Sequence, residues 1–243
     1  MSSVSTDPLH VLSKYFSLEC HEPASEDTEL AEIYALRYQI YCLEREFLDA
    51  LDYPDGLESD GDDVRSAHFA ARNADGIAVG TARLVFNRPG QRFPFEKHCP
   101  PFPDFACPAP ELAVEVSRLA VSKTYRRRAG DTPDGINEKE IRERPFTAPP
   151  GGTEKRANAP LLVLGLYREM YRYSRAHGIR YWYAAMERSL TRVLAHYGFA
   201  FQAIGPESDY YGPVSPYIGD LQSIERDLEH SNPDLLWWFR HGP

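Results

Sequence analysis

The sequence predicts one α/β domain built on a mixed sheet. Three observations carry this. Apolar residues recur with helical or strand periodicity in the order helix, hairpin, strand, helix, strand, helix, strand. The chain has 243 residues, 42% of them hydrophobic, enough for one sizeable core. No internal repeat and no second apolar core divides it.

The elements follow in order. Residues 28–46 read as a helix, with Leu30, Ile33, Tyr34, Ile40 and Tyr41 at helical spacing. Arg37 falls on that same face, so it either snorkels to the rim or is buried against an anion. Residues 49–65 hold seven Asp and Glu among Gly and Pro and read as a loop. Residues 66–86 read as a hairpin turning at Asp75 and Gly76, with Arg83 inside its second strand. A Pro-rich connection, 87–111, leads to the strand "AVEVSRLAV", 113–121. Residues 129–159 are polar and rich in Gly and Pro, which predicts a flexible insertion. A strongly apolar helix, 159–178, closes on Gly178. A strand at 179–186, a helix at 187–199 and a strand at 200–206 follow. The tail, 218–240, reads as helical, anchored by Trp237, Trp238 and Phe239.

The bulk properties exclude several classes. A net charge of −9 argues against general nucleic-acid binding. No apolar run approaches the roughly 18 residues of a membrane span. The N-terminus lacks the basic and apolar segments of a signal peptide, and four cysteines stand without paired spacing. A reduced, cytoplasmic protein without a metal site is expected. His98, Cys99 and Cys107 lie close together but lack a paired ligand motif.

The chemistry concentrates in the strand 113–121, where Glu115, Ser117 and Arg118 interrupt an apolar run. Strict alternation puts Glu115, Ser117, Leu119 and Val121 on one face and Val114, Val116, Arg118 and Ala120 on the other. Arg118 can join Glu115 only through a bulge. Glu115 has two readings: a structural ion network with Arg37 or Arg83, or a general base for an incoming ammonium group. There is no G-x-S-x-G, no G-x-x-x-x-G-K-[ST] and no strand-bound G-x-G-x-x-G.

Several motifs in order resemble the GNAT acyltransferase superfamily, and within it the acyl-homoserine lactone synthases and N-acyl amino acid synthases. They are R-x-x-x-aromatic at Arg37 and Tyr41, Phe47 where those families usually have tryptophan, and E-x-D-x-x-D at Glu58, Asp60 and Asp63. Arg83 in "GTARL" and E-x-S-R at Glu115, Ser117 and Arg118 complete the series. More narrowly, "LRYQIYCLEREFLDALDYPDGLESDGDD" with "EVSRLAVSKTYRRR" resembles the N-acyl amino acid synthase-like acyltransferases of the PEP-CTERM/exosortase system.

The resemblance implies a GNAT-like acyltransferase fold, with a mixed central sheet, helices on both faces and a single domain over 1–243. It implies an acyl-phosphopantetheine donor, on acyl carrier protein or coenzyme A, lying along strand 115–122 where a splay frees backbone groups. It implies no tightly bound cofactor. Glu115, Ser117 and Arg118 become the catalytic candidates. Arg37, Tyr41, Phe47, Asp60, Asp63 and Arg83 become the wall for a small amine acceptor, where an arginine could grip a carboxylate. Leu119 and Val121 would contact the donor, and Arg126, Arg127 and Arg128 would dock an acidic acyl carrier protein.

Two features depart from the superfamily pattern. "RRRAGD" satisfies the coenzyme A loop only in part, some thirty residues before the next helix. Leu194 stands where a tyrosine often protonates the leaving thiolate, so the general acid is unassigned. The expected activity is transfer of a long-chain acyl group to an amino acid amine. The alternatives are a lactone synthase using S-adenosylmethionine and a non-catalytic acyl-carrier or lipid binder.

Overall fold

A computed structural model describes residues 16–23, 29–124 and 159–241. The expected insertion at 129–159 and the arginines 126–128 lie outside the described residues, apart from Ala159 at the start of a helix.

The strands are β1 (Phe16–His21), β2 (Ser66–Asn73), β3 (Ala78–Phe86), β4 (Ala113–Val121), β5 (Tyr181–Met186), β6 (Gln202–Ala203), β7 (Ser208–Asp209) and β8 (Pro213–Asp220). The α-helices are α1 (Glu29–Tyr38), α2 (Ala159–Ala176), α3 (Arg188–His196), α4 (Leu221–Ser231) and α5 (Pro233–His241). The sheet runs β1-β2-β3-β4-β5-β8-β6, with β7 paired to β8. β1 to β4 form an antiparallel meander, β4 and β5 are parallel, and β5 and β8 are antiparallel.

The two faces of the sheet can be read from β2. Phe69 and Ala71 belong to the main core with Leu162, Leu166 and Tyr167 of α2. Ala70, pointing the other way, packs with Leu30 and Ile33 of α1. Helices therefore cover both faces. Gly80 of β3 lets α2 come close: a Cβ there would lie 2.4 Å from Leu162 Cδ2. At the other end of α2, Gly178 has φ +70°. That left-handed residue ends the helix and lets the Ile179 N–H donate to the Ser174 carbonyl.

Several boundaries differ from the sequence reading. β1 was not expected; "FSLECH" is an edge strand with exposed polar positions, so it lacks a clean apolar alternation. The helix predicted over 28–46 continues past Tyr38 as a π-helical stretch, Gln39–Glu44. The strand predicted at 200–206 is paired only over Gln202–Ala203. The tail at 218–240 begins in β8 and then forms α4 and α5. Trp238 and Phe239 are buried, with Phe239 edge-on to Tyr171, whereas Trp237 is exposed.

Candidate functional site: a forked sheet with a bulge

β4 and β5 pair only over Ala113–Glu115 against Tyr181–Tyr183, although both strands run on. Past Glu115 they part. Peptide groups of β4 that point toward β5 lose their strand partner there. One is recovered: the Tyr41 hydroxyl donates to the Leu119 carbonyl at 3.1 Å.

Beside this fork β4 carries a bulge. Arg83 pairs with Ser117 and Thr81 with Ala120, so two residues of β4 oppose the single Ala82 of β3. Arg118 takes φ +51°, a left-handed conformation costing an L-residue roughly 1–2 kcal/mol. The extra residue changes which side chains share a face. Arg118 joins Glu115 and Ser117, as the sequence allowed only through a bulge. Ala120 turns to the cavity side, and Val121 turns into the main core beside Val114 and Val116. The expected donor contact at Val121 is therefore corrected: the inserted residue reverses the alternation after Ser117. Leu119 does line the cavity.

Arg118 is held by a compact ion cluster. Its Nη2 donates to Glu58 Oε1 at 2.9 Å and to Asp60 Oδ2 at 3.0 Å. Arg83 Nη1 donates to Asp60 Oδ1 at 2.7 Å and Asp63 Oδ1 at 2.6 Å, and Nε to Ser117 Oγ at 3.1 Å. Arg37 donates through Nε to Glu58 and through Nη1 and Nη2 to Asp63. Three guanidiniums thus face three carboxylates. Burial alone would raise the carboxyls of Glu58, Asp60 and Asp63, but the arginines outweigh it and hold all three below the ordinary range.

Arg37 is fully buried and borders neither cavity described below. It and Asp63 therefore stand behind the wall that the sequence assigned them to, fixing Glu58 and Arg83 from the inside. Tyr41 and Phe47 line the cavity in the fork between β4 and β5. Phe47 stacks on Tyr211 at 5.8 Å, and the Arg118 guanidinium lies 5.5 Å from the Tyr41 ring centroid.

Glu115 stays out of this cluster. Among the described residues no cation lies within ion-pair distance of it; Oε2 accepts the Phe95 N–H at 2.9 Å. Burial pushes its carboxyl up to about 8, against weaker opposition from that N–H, Arg83 and Arg118. Of the two readings of Glu115, the structural ion network is the one the geometry removes.

Two cavities share Pro94, Arg118 and Tyr210 as wall residues. One, of about 190 Å³, lies in the fork between β4 and β5, with Glu115, Ser117, Met186 and Leu190 on its walls. The other, of about 430 Å³, is bordered by Asp60, Arg83, Lys97 and His98. Lys97, His98 and Tyr210 were not identified from sequence. They sit on a Pro-rich connection and a short hairpin, where no periodicity marks orientation. Leu194 is buried in the core, so the position often used for a proton donor is closed here. Among the described residues no group of three or more His, Cys, Asp or Glu is arranged to hold a metal.

An antiparallel meander leads into a parallel pair that forks beside a bulge, with helices on both faces. Residues 36–132 match the family model of the acetyltransferase (GNAT) domain. The fold is the GNAT fold. Among solved structures, the chain is similar to TofI in a ternary complex with an inhibitor and MTA. That match has a TM-score of 0.59 at 16% identity, over 90% of this chain and 99% of that one. It is also similar to BjaI, a CoA-dependent acyl-homoserine lactone synthase solved with SAM and isopentyl-CoA. Here the TM-score is 0.60 at 18% identity, over 88% of each chain. The AHL synthase LasI gives a TM-score of 0.55 at 16% identity, over 85% of this chain and 90% of that one. At such identities the likeness is one of fold. No curated protein sequence matches the chain.

Proposed function

We propose that this protein is an N-acyltransferase that moves a long-chain acyl group from a phosphopantetheine thioester to the amine of an amino acid. The observation that carries the proposal is Glu115. It is a buried carboxyl with no ion-pair partner among the described residues, at the fork of β4 and β5 and on the wall of the cavity there.

The chemistry follows from its proton affinity. An α-ammonium group titrates near 8 and a thiol near 8.5, close to the value of about 8 for Glu115. The acceptor first loses its ammonium proton to solvent. The free amine attacks the thioester carbonyl, and its lone pair forms the C–N bond while the carbonyl oxygen gains charge. N–H groups of β4 left without a strand partner can bind that oxyanion. Glu115 as carboxylate takes the second nitrogen proton. The C–S bond breaks, the electron pair leaves with sulfur, and Glu115 returns the proton to the thiolate. One carboxyl then serves as base and acid, which removes the need for a tyrosine at Leu194.

The ordered motif series and the GNAT fold support this reading, and an amino acid acceptor is proposed from the resemblance of the motif series to N-acyl amino acid synthases. Acyl carrier protein and acyl-CoA are both proposed as donors. Incubation with long-chain acyl-ACP or acyl-CoA and mixed amino acids should give N-acyl amino acids by mass spectrometry. Absence of product with both donors refutes the proposal. Release of methylthioadenosine from S-adenosylmethionine would assign a lactone synthase instead.

A further inference from the structure

We infer that Tyr210 is a catalytic residue whose hydroxyl donates a hydrogen bond to the oxyanion formed when the amine adds to the thioester. This rests on the acyltransferase reading above and goes beyond it by assigning a side-chain donor to the reacting carbonyl.

Tyr210 is one of three residues, with Pro94 and Arg118, on the walls of both cavities. With the thioester in the fork and the amine entering from the second cavity, a group on both walls faces the carbonyl that changes charge. Pro94 has no N–H to offer. Arg118 spends Nε and Nη2 on Glu58 and Asp60, and its guanidinium also reaches the Tyr210 phenol oxygen. A guanidinium only donates, so the phenol oxygen is the acceptor in that contact. The phenol hydrogen then has no acceptor among the described residues and is left for a ligand oxygen. A cation behind the phenol polarises it and strengthens it as a donor.

The backbone around this pair is strained. Among the described residues, three non-glycine residues have positive φ, and two of them are Arg118 at +51° and Tyr211 at +57°. One carries the cation, and the other follows Tyr210 in the turn between β7 and β8. Such strain persists where the surrounding structure over-determines it. Here the Tyr210 N–H donates to the Gly212 carbonyl at 2.9 Å, and the Gly212 N–H donates to Asp209 Oδ1 at 3.2 Å. The Tyr210 ring is held by His98, stacked at 4.1 Å, and by Tyr211 at 4.7 Å. The hydroxyl is thus fixed before substrate arrives, the condition under which an oxyanion donor is effective.

The phenol also keeps its proton. Burial raises it above its ordinary value of 10, against the opposing pull of Arg118. A thiol titrates near 8.5, so passing the phenol proton to the leaving thiolate would be uphill. Tyr210 therefore lends a hydrogen bond, and the proton transfers stay with Glu115. The bond strengthens as the carbonyl oxygen gains charge on C–N bond formation. It relaxes when the C–S bond breaks and the electron pair leaves with sulfur.

The test measures kcat and KM for wild type and Tyr210→Phe, read by thiol release. The donors are an acyl-CoA and the S-phenyl thioester of the same acyl chain, whose leaving thiol is far more acidic. The acceptors are one amino acid and hydroxylamine. Phenylalanine keeps both ring contacts, so the urea midpoint should be nearly unchanged. Loss of one oxyanion donor typically costs roughly 10²–10³-fold in kcat. That loss should appear with both donors and both acceptors, with KM for the acyl-CoA and the midpoint of the pH profile nearly unchanged. A loss that vanishes with the S-phenyl thioester overturns the inference, because it assigns Tyr210 to protonating the thiolate. A loss in kcat under about tenfold, or one carried by KM alone, also overturns it and leaves the acyltransferase reading standing. No thiol release by wild type with any pairing removes both.

Discussion

Replacing Glu115 with glutamine removes a charge and keeps the shape. Glutamine Oε1 can still accept the Phe95 N–H, so the bond at 2.9 Å need not be lost. General base catalysis is typically worth about 10²–10⁴-fold, and kcat should fall by that amount. Stability should move the other way. The folded-state carboxyl sits at about 8, above its ordinary 4.5, so between those values the native state binds more protons than the unfolded chain. Stability therefore falls as pH rises through that window and is level above it. At pH 7 the difference is two and a half pH units at 1.36 kcal/mol each, about 3 kcal/mol as an upper figure. Glu115→Gln should recover much of it, with a higher urea midpoint at pH 7 and little gain at pH 5. The wild-type rate should climb more than tenfold per pH unit up to about 8 and then level, because at pH 7 only about one Glu115 carboxyl in ten is ionised and the acceptor's ammonium group, also near 8, is mostly protonated. A glutamine variant within about fivefold of wild-type kcat, or a wild-type profile flat from pH 6 to 9, would refute the reasoning.

Three further outcomes follow from the same geometry. Arg37→Met leaves Glu58 and Asp63 short of a buried partner and should cost about 3–5 kcal/mol in urea unfolding. Burial, with Arg37 and Arg83 nearby, lowers His68 to about 4, so the folded imidazole is neutral where the unfolded one is charged. Stability should therefore drop as pH falls from 6.5 toward 4, and an NMR titration should find His68 uncharged at pH 5.5. Gly80→Ala puts a Cβ 2.4 Å from Leu162 Cδ2 and should cost about 1–3 kcal/mol in urea unfolding by separating α2 from the sheet.

Much of this fold was legible because its helices and central strands have strong periodicity. β2 and β3 appear around Asp75-Gly76, and α2 ends at Gly178. β1 was hidden because an edge strand need not alternate cleanly, and β6 because two paired residues leave no period. Within the site, the residue types of "EVSR" signalled buried charge, but alternation could not place Arg118, Ala120 and Val121. Their faces depend on one inserted residue, which only the pairing with β3 reveals. Helical spacing leaves Arg37 either buried or snorkelling, and the carboxylates that bury it lie 21 and 26 residues away. Lys97 and Tyr210 come from connections whose course is set by packing, not by local pattern. Tyr183 illustrates this: it packs on Phe93 and Phe95 and so places the turn that ends at Lys97.

The central claim is that Glu115 moves the proton from nitrogen to sulfur. The most direct test is a single-turnover reaction of acyl-thioester and amino acid at pH 8, following amide and free thiol together. Wild-type protein should form both in equal amounts, and Glu115→Gln should form neither at an appreciable rate while still binding both substrates. Equal single-turnover rates for the two proteins would contradict the account.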